Sequence, residues 1–461
     1  MHFGVAAQPL VESLPFTTDT ATWFAQLRHL PQAMLLTSGT SSHPAARFDI
    51  LVADPLYVLR TRHNVTTVTA ANGAIIDTSN DDPFLVLERH CPLQPESAQP
   101  DLPFTAGVVT WLGYELLHQA NCIEPHKADS LQLPDLLAGF FDWAIVVDHQ
   151  LKQTSLVLSC VDHQRAQAVR ELLAAVPSPS SQVPFSLLSP FKTEITRDEY
   201  LRRFQRIIDY IHAGDCYQVN LAQCFTAACE GDSWQAFLQL QSRANAPFAA
   251  FLQDGKHSVM SFSPERFLKV ENCRVLTQPI KGTRPRSSDP AQDVRNRIEL
   301  ETSTKDRAEN LMIVDLLRND LGRVCSFGSV SVEHLFELQS FTNVHHLVST
   351  IKGRLQQPSD VFRLMAACFP GGSITGTPKL RSMQIINELE TMPRSVYCGV
   401  IAWIDRSGNM DSNIAIRTLV RDGNTVHCWG GGGIVADSVG SEEYQETFDK
   451  ISMLIDGFGT P

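Results

Sequence analysis

The chain has 461 residues, of which 43% are hydrophobic and 19% are charged, a balance that excludes a disordered protein and is typical of globular ones. This length is sufficient for one large hydrophobic core or for about two to three ordinary ones. The 38 lysines and arginines stand against 50 aspartates and glutamates, a net charge of −12, and no basic cluster is present. We therefore expect no nucleic-acid partner.

The cysteines and the apolar runs indicate where the protein works. Eleven cysteines are scattered along the chain without a C-x-x-C pair, which is typical of reduced, mostly buried thiols in a cytoplasmic protein. No apolar run has the length of a membrane span; even residues 136–147 form a short run that contains Asp142. The first lysine or arginine is Arg28, so we expect no signal peptide.

The first part of the chain predicts a sheet-rich region, because short β-branched and aromatic runs alternate with turn residues. Residues 165–175 have the spacing of an amphipathic helix. The segment 176–190 then contains four prolines and five serines, the composition of a linker that joins two domains or crosses the surface of one. We accordingly divide the chain into a sheet-rich region, 1–190, and a second region, 191–461.

The second region opens with a predicted helix and a strand. Thr196 and Glu199 have the spacing of a capping box, apolar residues follow at helical spacing, and Gly214 ends the helix. Apolar and polar residues alternate over 216–222, which predicts a half-buried strand whose polar face carries the amides of Gln218 and Asn220. Such amides decorate a sheet edge or line a pocket.

A single lysine, Lys281, stands between an apolar Pro-Ile pair and a glycine in the segment 278–286. Glycine permits close approach of a ligand, and the flanking prolines stiffen the segment. A lysine held there loses part of its hydration, which lowers its pKa toward that of a usable nucleophile. The arginines Arg284 and Arg286 favour a carboxylate ligand. Taken alone, the segment more often forms a solvated basic loop.

Two isolated acids have more than one interpretation. Glu265 follows a short apolar strand and by itself indicates a surface acid or an ion pair, but beside a reactive lysine it becomes a candidate general acid. Residues 290–321 predict one long helix, with Glu309 on its apolar stripe, where a carboxylate is costly. Glu309 needs a basic residue or a metal there, and an ion pair is the commoner solution.

Residues 370–379 form a small-residue loop that runs into a helix starting near Pro378. Such a loop presents N–H groups to an anion at a helix N-terminus, or simply caps the helix; the order of a Walker loop is absent. Residues 400–403 and 414–419 predict strands, with Arg417 inside the second. An arginine in such a strand is costly unless it meets an anion.

The C-terminal part combines glycines with acids. Residues 430–433 are four glycines between β-type residues, which excludes a dinucleotide fingerprint and predicts either a bulge or backbone amides that approach a carboxylate. In the last predicted helix, from Ser441, the residues Glu443, Glu446 and Lys450 share one stripe. With Glu309 the two acids could bind a hard cation, although the stripe alone is more typical of a salt-bridged solvent face.

Together these motifs resemble the chorismate-binding enzymes, which include anthranilate, aminodeoxychorismate, isochorismate and salicylate synthases. The motifs follow the family's order at 279–286, 309–320, 376–379, 414–418, 431–438 and 443–450. Residues 34–39 and 111–115 also resemble the amino-transferring members. The resemblance implies an α/β (α+β) fold, with two large antiparallel β-sheets packed as a sandwich, helices outside and the active site in a cleft.

Two positions separate the branches of the family. Enzymes that add water to chorismate have a lysine base where this chain has Gln218, and anthranilate synthases usually have alanine where it has Lys281. The resemblance therefore favours the branch that aminates chorismate at C4 for p-aminobenzoate and folate synthesis. The alternatives are an anthranilate synthase component I of tryptophan synthesis and a non-catalytic chorismate-binding subunit.

The resemblance also implies roles for individual residues. Lys281 attacks C2 of chorismate as the C4 hydroxyl leaves, and Glu265 protonates the leaving oxygen. Mg²⁺, held by Glu309 and Glu446 with Glu443 close by, binds the ring carboxylate. The residues expected to contact the substrate are Arg417, Tyr397, Thr377, Gly431, Gly433, Lys450 and His346.

Two further ligands or partners follow from the same resemblance. None of the eleven cysteines lies in a glycine-rich elbow with a His-x-Glu partner, so the ammonia is expected from a separate glutamine amidotransferase subunit. Residues Leu36, Ser38, Pro247 and Phe248 resemble the family's tryptophan-binding site, which here either binds tryptophan or is a packed remnant.

Overall fold

The structure is a computed structural model that describes residues 5–39, 43–95, 99, 101–118, 123–124, 131–175, 183–341 and 344–459. Its strands are β1 (Val5–Leu14), β2 (Met34–Thr37), β3 (Phe48–Val52), β4 (Tyr57–Arg62), β5 (Val65–Ala70), β6 (Ile75–Ser79), β7 (Gly107–Leu112), β8 (Leu136–Phe141), β9 (Trp143–Asp148), β10 (Gln153–Cys160), β11 (Ser186–Leu187), β12 (Lys192–Thr193), β13 (Gln218–Glu230), β14 (Phe248–Asp254), β15 (His257–Ser263), β16 (Arg266–Glu271), β17 (Arg274–Thr277), β18 (Ile280–Pro285), β19 (Ser331–Ser340), β20 (Val344–Arg354), β21 (Gly376–Thr377), β22 (Val400–Asp405), β23 (Met410–Ile414), β24 (Thr418–Asp422) and β25 (Thr425–Ile434). Its α-helices are α1 (Ala21–Leu27), α2 (Pro83–His90), α3 (His163–Ala174), α4 (Arg197–His212), α5 (Ser233–Ala244), α6 (Pro290–Thr302), α7 (Thr304–Gly322), α8 (Asp360–Cys368), α9 (Lys379–Leu389), α10 (Gly440–Asp449) and α11 (Ser452–Asp456).

The strands form two large antiparallel sheets, which confirms the predicted fold class. The first sheet has the order β1-β10-β9-β3-β2-β14-β15-β24-β25-β13-β11, with β12 and β21 also paired to β13. The second has the order β18-β20-β17-β16-β23-β22-β7-β8-β4-β5-β6, with β19 paired to β20. Strands from before and after residue 190 pair in both sheets, as β2 with β14 and β7 with β22. Residues 176–182 of the predicted linker lie outside the described residues.

Apolar side chains on both faces of the first sheet explain the layered packing. Successive residues of a strand point to opposite faces, and the neighbours Ile50 and Leu51 of β3 belong to two different hydrophobic clusters. The cluster of Ile50 includes Val109 and Trp111 of the second sheet and fills the space between the sheets. The cluster of Leu51 includes Phe237 of α5, so helices cover the outer face of the first sheet.

Local signals place the helix ends. Thr196 accepts a hydrogen bond from the Glu199 N–H at 3.2 Å, which confirms the predicted start of α4. The prediction of one helix over 290–321 is wrong, because Ser303 has extended backbone angles and its hydroxyl caps α7 by accepting from the Asp306 N–H. The segment therefore forms two helices, α6 and α7. Within the described ranges, no helix is both long and apolar enough to cross a membrane.

Two of the places where the chain crosses between the two sheets lie side by side. One crossing is residues 264–265 between β15 and β16, and the other is residues 415–417 between β23 and β24. The prediction that Arg417 lies inside a strand 414–419 is therefore wrong: Arg417 occupies the turn with φ +49°. The Ile414 N–H donates to the Glu265 carbonyl at 3.1 Å, which joins the two crossings.

Candidate active site

A cavity of about 560 Å³ opens where the chain crosses between the sheets. Both sheets, α7 and the C-terminal helix α10 contribute to its walls. The predicted site residues that line it are Glu265, Lys281, Glu309, His346, Tyr397, Arg417, Gly431, Gly433, Glu443, Glu446 and Lys450. Thr377 is not among the lining residues; it pairs with Gln218 on β13, and its hydroxyl is buried without a hydrogen-bond partner among the described residues.

Lys281 lies on β18, where the pairing with β20 shifts register next to Gly282. Its Nζ donates to the Ser373 carbonyl at 3.2 Å, and no carboxylate of the described residues lies within 4.0 Å of it. Burial lowers the pKa of Lys281, although Glu265 and Glu309 oppose this effect. The lysine therefore has what a nucleophilic amine needs, a desolvated position without a direct ion pair.

Glu265 is buried at the neighbouring sheet crossing and accepts a hydrogen bond from the Ser373 hydroxyl at 2.9 Å. Burial raises the pKa of Glu265, while Lys281 and the Ser373 hydroxyl act in the opposite direction. A carboxyl group with a raised pKa keeps its proton longer and can deliver it to a leaving group. Ser373 thus bridges the predicted nucleophile and the predicted acid.

The loop 370–379 holds Ser373, and two of its other residues make contacts within the protein. Gly372 packs so closely on α7 that a Cβ there would lie 2.5 Å from the Leu316 Cδ2. Lys379 turns away from the cavity to Asp320 at 2.5 Å and to the Cys368 carbonyl at 3.0 Å. Sequence reasoning missed Ser373, because its role depends on a carbonyl and a hydroxyl whose partners are distant in the chain.

Three carboxylates face the cavity from the side of α7 and α10. Glu443 is buried; its Oε1 accepts from the Ser438 hydroxyl at 2.6 Å, and its Oε2 is buried without a partner among the described residues. Glu446 forms an ion pair of 2.6 Å with Lys450, the half-exposed pair typical of a solvent face. Glu309, expected by itself to form an ion pair, has no basic group of the described chain within 4.0 Å.

The burial of Glu309 and Glu443 leaves their negative charge poorly compensated. Burial raises the pKa of Glu309 and of Glu443, and the charge of Glu446 raises both further. Gly432 leaves room for them, since a Cβ there would lie 2.9 Å from the Glu443 Oε2 and 3.4 Å from the Glu446 Oε1. Oxygen donors with an unpartnered buried atom fit a hard cation. In the described part of the chain, however, no three such side chains converge on one point as they stand.

The glycines of β25 form a regular strand and not a bulge, because the pairing with β13 runs without a shift. The N–H groups of Asn220 and Ala222 turn away from β25, to the Thr375 carbonyl at 2.8 Å and to Glu390 at 2.9 Å. In an antiparallel ladder the facing residues, Gly433 and Gly431, then also turn their N–H and C=O groups outward.

Within the described residues, no strand pairs with β25 on that outward side beyond Cys428, because the chain enters β24 from the other sheet through residues 415–417. The Lys450 Nζ donates to the outward Gly431 carbonyl at 2.9 Å. The free N–H groups of Gly431 and Gly433 are therefore available to an anion in the cavity.

A cation and two aromatic groups complete the walls. Arg417 opens to the cavity and has no ion pair among the described residues, and the surrounding atoms reduce its hydration and lower its pKa. His346 shares a hydrogen bond of 2.9 Å with the Thr283 hydroxyl. Its pKa is lowered to about 4, mainly by burial and to a smaller extent by the charge of Arg417. Tyr397 stacks on Trp429 with ring centroids 6.0 Å apart. Arg417 is thus the cation of the site that an anionic ligand can satisfy.

A second, smaller cavity of about 100 Å³ contains all four residues of the predicted tryptophan pocket. Leu36, Ser38, Pro247 and Phe248 line it together with Trp403. An adjoining space of about 500 Å³ shares Phe248 and Trp403 with it. The structure brings the predicted residues together, and the identity of a ligand there stays a prediction.

Comparisons with known proteins agree on one family. The family model described as chorismate binding enzyme matches residues 36–456. Aminodeoxychorismate synthase component 1 of Salmonella typhimurium is 46% identical over 450 residues, which cover 97% of this chain and 98% of that protein. The solved structure of anthranilate synthase component I from Streptococcus pneumoniae is 30% identical, with a TM-score of 0.77 over 90% of this chain and 93% of that one.

A solved structure of much lower sequence identity has a similar fold. The menaquinone-specific isochorismate synthase of Escherichia coli has a TM-score of 0.72 over 99% of this chain and 96% of that one, at 16% identity. At that identity the likeness supports the fold alone.

Proposed function

The chain belongs to the chorismate-binding enzyme family, and we propose that it acts as component I of an aminodeoxychorismate synthase, which converts chorismate and ammonia to 4-amino-4-deoxychorismate. One observation carries the proposal: the desolvated Lys281 and the buried Glu265 share Ser373 at one cavity wall. The identity of 46% to the Salmonella typhimurium protein over almost the full length of both chains supports the same reaction.

The walls of the cavity suit a substrate with two carboxylates. Arg417 offers an uncompensated guanidinium, and Gly431 and Gly433 offer N–H groups. Tyr397 and the neutral His346 bound the space around the ring. Positive charge and N–H groups placed in advance favour anionic groups in a site with reduced access to water.

The acidic side of the cavity suits Mg²⁺, which Glu309 and Glu446 would hold with Glu443 close by. When bound, the ion supplies positive charge that positions a substrate carboxylate and withdraws electron density from the ring. Lys450 neutralises Glu446 in the present arrangement and donates to the Gly431 carbonyl. Each contact of Lys450 can be exchanged for a contact to the substrate.

The first half of the reaction needs an amine and an acid. The unprotonated Lys281 Nζ forms a bond to C2 of chorismate while the two conjugated double bonds of the ring shift and the C4–oxygen bond breaks. Glu265 gives its proton to that oxygen, which leaves as water. The raised pKa of Glu265 and the lowered pKa of Lys281 favour the protonation states that this step requires.

The second half restores the enzyme. Ammonia forms a bond to C4, the two double bonds shift back, and the bond between C2 and the Lys281 Nζ breaks. The new ammonium group returns a proton to the Glu265 carboxylate. Chorismate and ammonia are thus converted to aminodeoxychorismate and water, with Lys281 and Glu265 in their starting states.

The ammonia comes from a separate glutamine amidotransferase subunit in this proposal. The ten cysteines of the described chain are free, and burial raises the pKa of the thiol at each of them, as at Cys368 and Cys428. A raised pKa suppresses the thiolate that a glutaminase nucleophile needs. The reaction places the protein in p-aminobenzoate and folate synthesis, and the free thiols agree with a cytoplasmic location.

The second cavity is proposed to bind tryptophan, as a structural or a regulatory ligand. The support is that Leu36, Ser38, Pro247 and Phe248 line one apolar cavity that also carries a few polar groups.

The proposed reaction is tested by its product. The purified chain is mixed with chorismate, Mg²⁺ and an ammonium salt, and the product is identified by mass and absorbance. We expect aminodeoxychorismate without pyruvate. Anthranilate with pyruvate would overturn the proposal in favour of an anthranilate synthase, and chorismate binding without turnover, even with the amidotransferase added, would indicate a non-catalytic subunit.

A further inference from the structure

Arg394 lies under the floor of the catalytic cavity and is fully buried. Its Nε and Nη2 donate to the two carboxylate oxygens of Glu390 at 2.9 and 2.6 Å. Its Nη1 donates to the Ile374 carbonyl at 3.0 Å, and Nη2 also reaches the Asn220 carbonyl at 3.1 Å. The guanidinium thus donates to acceptors from three separate segments of the chain.

Two of the three acceptor residues, Ile374 and Asn220, line the catalytic cavity. Ile374 follows Ser373, the residue that bridges Lys281 and Glu265. Asn220 faces Gly433 across the ladder, and its side-chain oxygen accepts from Arg394 as well, at 3.2 Å.

Glu390 extends the same contacts along β13. Its Oε1 accepts from the Ala222 N–H at 2.9 Å, and Ala222 faces Gly431. The Arg394 N–H in turn donates to Glu115 at 2.7 Å, and the Tyr114 ring lies 4.6 Å from the guanidinium carbon. The pair therefore joins the Ser373 loop to the strand that faces the carboxylate-binding glycines.

Neither Arg394 nor Glu390 lines the cavity, so neither contacts the substrate. Stability alone does not explain such a pair, since well-packed apolar residues of similar volume are often as stable as a buried ion pair. A planar guanidinium differs from apolar packing in fixing several acceptors at defined directions. Because the pair lies beneath two walls of the cavity, the guanidinium can fix the position of both walls.

We propose that Arg394, held by Glu390, is a positioning residue that fixes the Ser373 turn, and through Ser373 the relative placement of Lys281 and Glu265. This inference rests on the proposed function. Loss of the guanidinium fork frees the Ile374 carbonyl, the Ser373 turn moves, and the nucleophile and acid lose their common support. The chemical step suffers more than substrate binding does, because Arg417 and the glycine N–H groups stay in place.

The test compares Arg394→Lys with Arg165→Lys. Arg165 is a matched control, because its guanidinium also forks onto carboxylates, at Asp142 (2.9 Å) and Asp54 (2.8 Å), but lies on α3 away from the cavity. Both variants keep the positive charge and lose the planar fork. We expect R394K to lower kcat by about 100-fold, the effect of a misplacement of about 1 Å, with the KM for chorismate within about threefold, and R165K to change neither.

A double-mutant cycle identifies the route. Ser373→Ala removes the hydroxyl that Glu265 accepts from, and R394K is combined with it. If Arg394 acts through Ser373, the double variant is no slower than the slower single variant. Multiplied effects of the two substitutions, or a kcat of R394K that falls no further than that of R165K, would overturn the inference.

Two further measures keep the test decisive. If R394K does not yield folded protein, Glu390→Gln replaces it and is judged by the same two criteria, because the amide keeps the shape and loses one of the two acceptors. All rates are taken relative to the unaltered chain in the same assay. The nature of the product therefore tests the proposed function, and the ratio of rates tests the positioning role.

Discussion

Cations of the catalytic cavity and of the space beside the second cavity differ in whether a carboxylate of the protein pairs with them. In the catalytic cavity, Lys281 and Arg417 have no carboxylate of the described chain within 4.0 Å. In the space that adjoins the second cavity, Arg266 is held by Asp411 through contacts of 2.9 and 3.0 Å and lies over the Phe248 ring at 4.9 Å. Lys281 and Arg417 are thus available to a ligand, whereas the charge of Arg266 is satisfied within the protein.

This difference indicates which cavity performs chemistry. An uncompensated buried charge raises the free energy of the folded chain, and a ligand of opposite charge recovers that energy on binding. A satisfied charge contributes shape and stability and leaves the ligand to be recognised by packing. Glu265, Lys281, Glu309 and Glu443 of the first region all have perturbed pKa values, as expected for a catalytic site.

Removal of the nucleophile should have the largest effect. We expect Lys281→Ala to lower kcat on the order of 10⁴-fold, because the covalent route is lost. Chorismate binding should persist, which quenching of the cavity residue Trp429 measures in the same preparation. Turnover of the variant at the rate of the unaltered chain would refute the role of Lys281 and with it the contrast between the cavities.

Replacement of the proposed general acid should have the second-largest effect on turnover. We expect Glu265→Gln to lower kcat by about 10³-fold, the usual range of general acid catalysis. The acid acts when protonated, so the kcat of the unaltered chain should fall as pH rises through the raised pKa of Glu265. The pH–rate profile of the glutamine variant should lack that limb; an unchanged profile would assign the proton to another group.

The unpaired arginine should affect binding rather than stability. We expect Arg417→Met to raise the KM for chorismate by about 10- to 100-fold, since hydrogen bonds between charged groups are lost. Its melting temperature should not fall, because no ion pair is broken. The comparison variant Arg266→Met should instead lose about 3 kcal/mol of stability, because Asp411 is left unpaired. Equal loss of stability in both variants would contradict the distinction.

The smallest effect on turnover is expected in the second cavity. Ser38→Leu fills part of the space of about 100 Å³. Without tryptophan we expect its kcat within about threefold of the unaltered chain, since overpacking there costs stability more than catalysis. Calorimetry should show tryptophan binding to the unaltered chain and not to the variant. A loss of turnover as large as that of Glu265→Gln would show that the second cavity takes part in the reaction.

Local patterns predicted the elements better than the connections between them. Thr196 and the apolar spacing after it predict α4 because a cap and a helical face depend on residues close in sequence. Ser303 shows the limit of such patterns, since periodicity continues across the residue that ends one helix and caps the next. The run 414–419 likewise looks like one strand, because only the pairing of β23 and β24 with different sheets exposes the turn at Arg417.

The sequence predicted the charged residues of the site but not the residues that hold them in position. Lys281, Glu265 and the acids stand out because such residue types are costly among apolar neighbours. Ser373 and Arg394 act through hydrogen bonds to segments distant in sequence, and no local pattern encodes those partners. The outward Gly431 and Gly433 amides are left open because the pairing of β24 with β25 ends at Cys428, and this end depends on where the chain crosses between the sheets.

The most direct test of the account is to look for the covalent bond to Lys281. The chain is incubated with chorismate and Mg²⁺ in the absence of ammonia, quenched and analysed by intact-protein and peptide mass spectrometry. We expect an adduct with the mass of chorismate less one water on the peptide that contains Lys281, which disappears when an ammonium salt is added before quenching. Formation of aminodeoxychorismate at full rate without any such adduct under either condition would contradict the account.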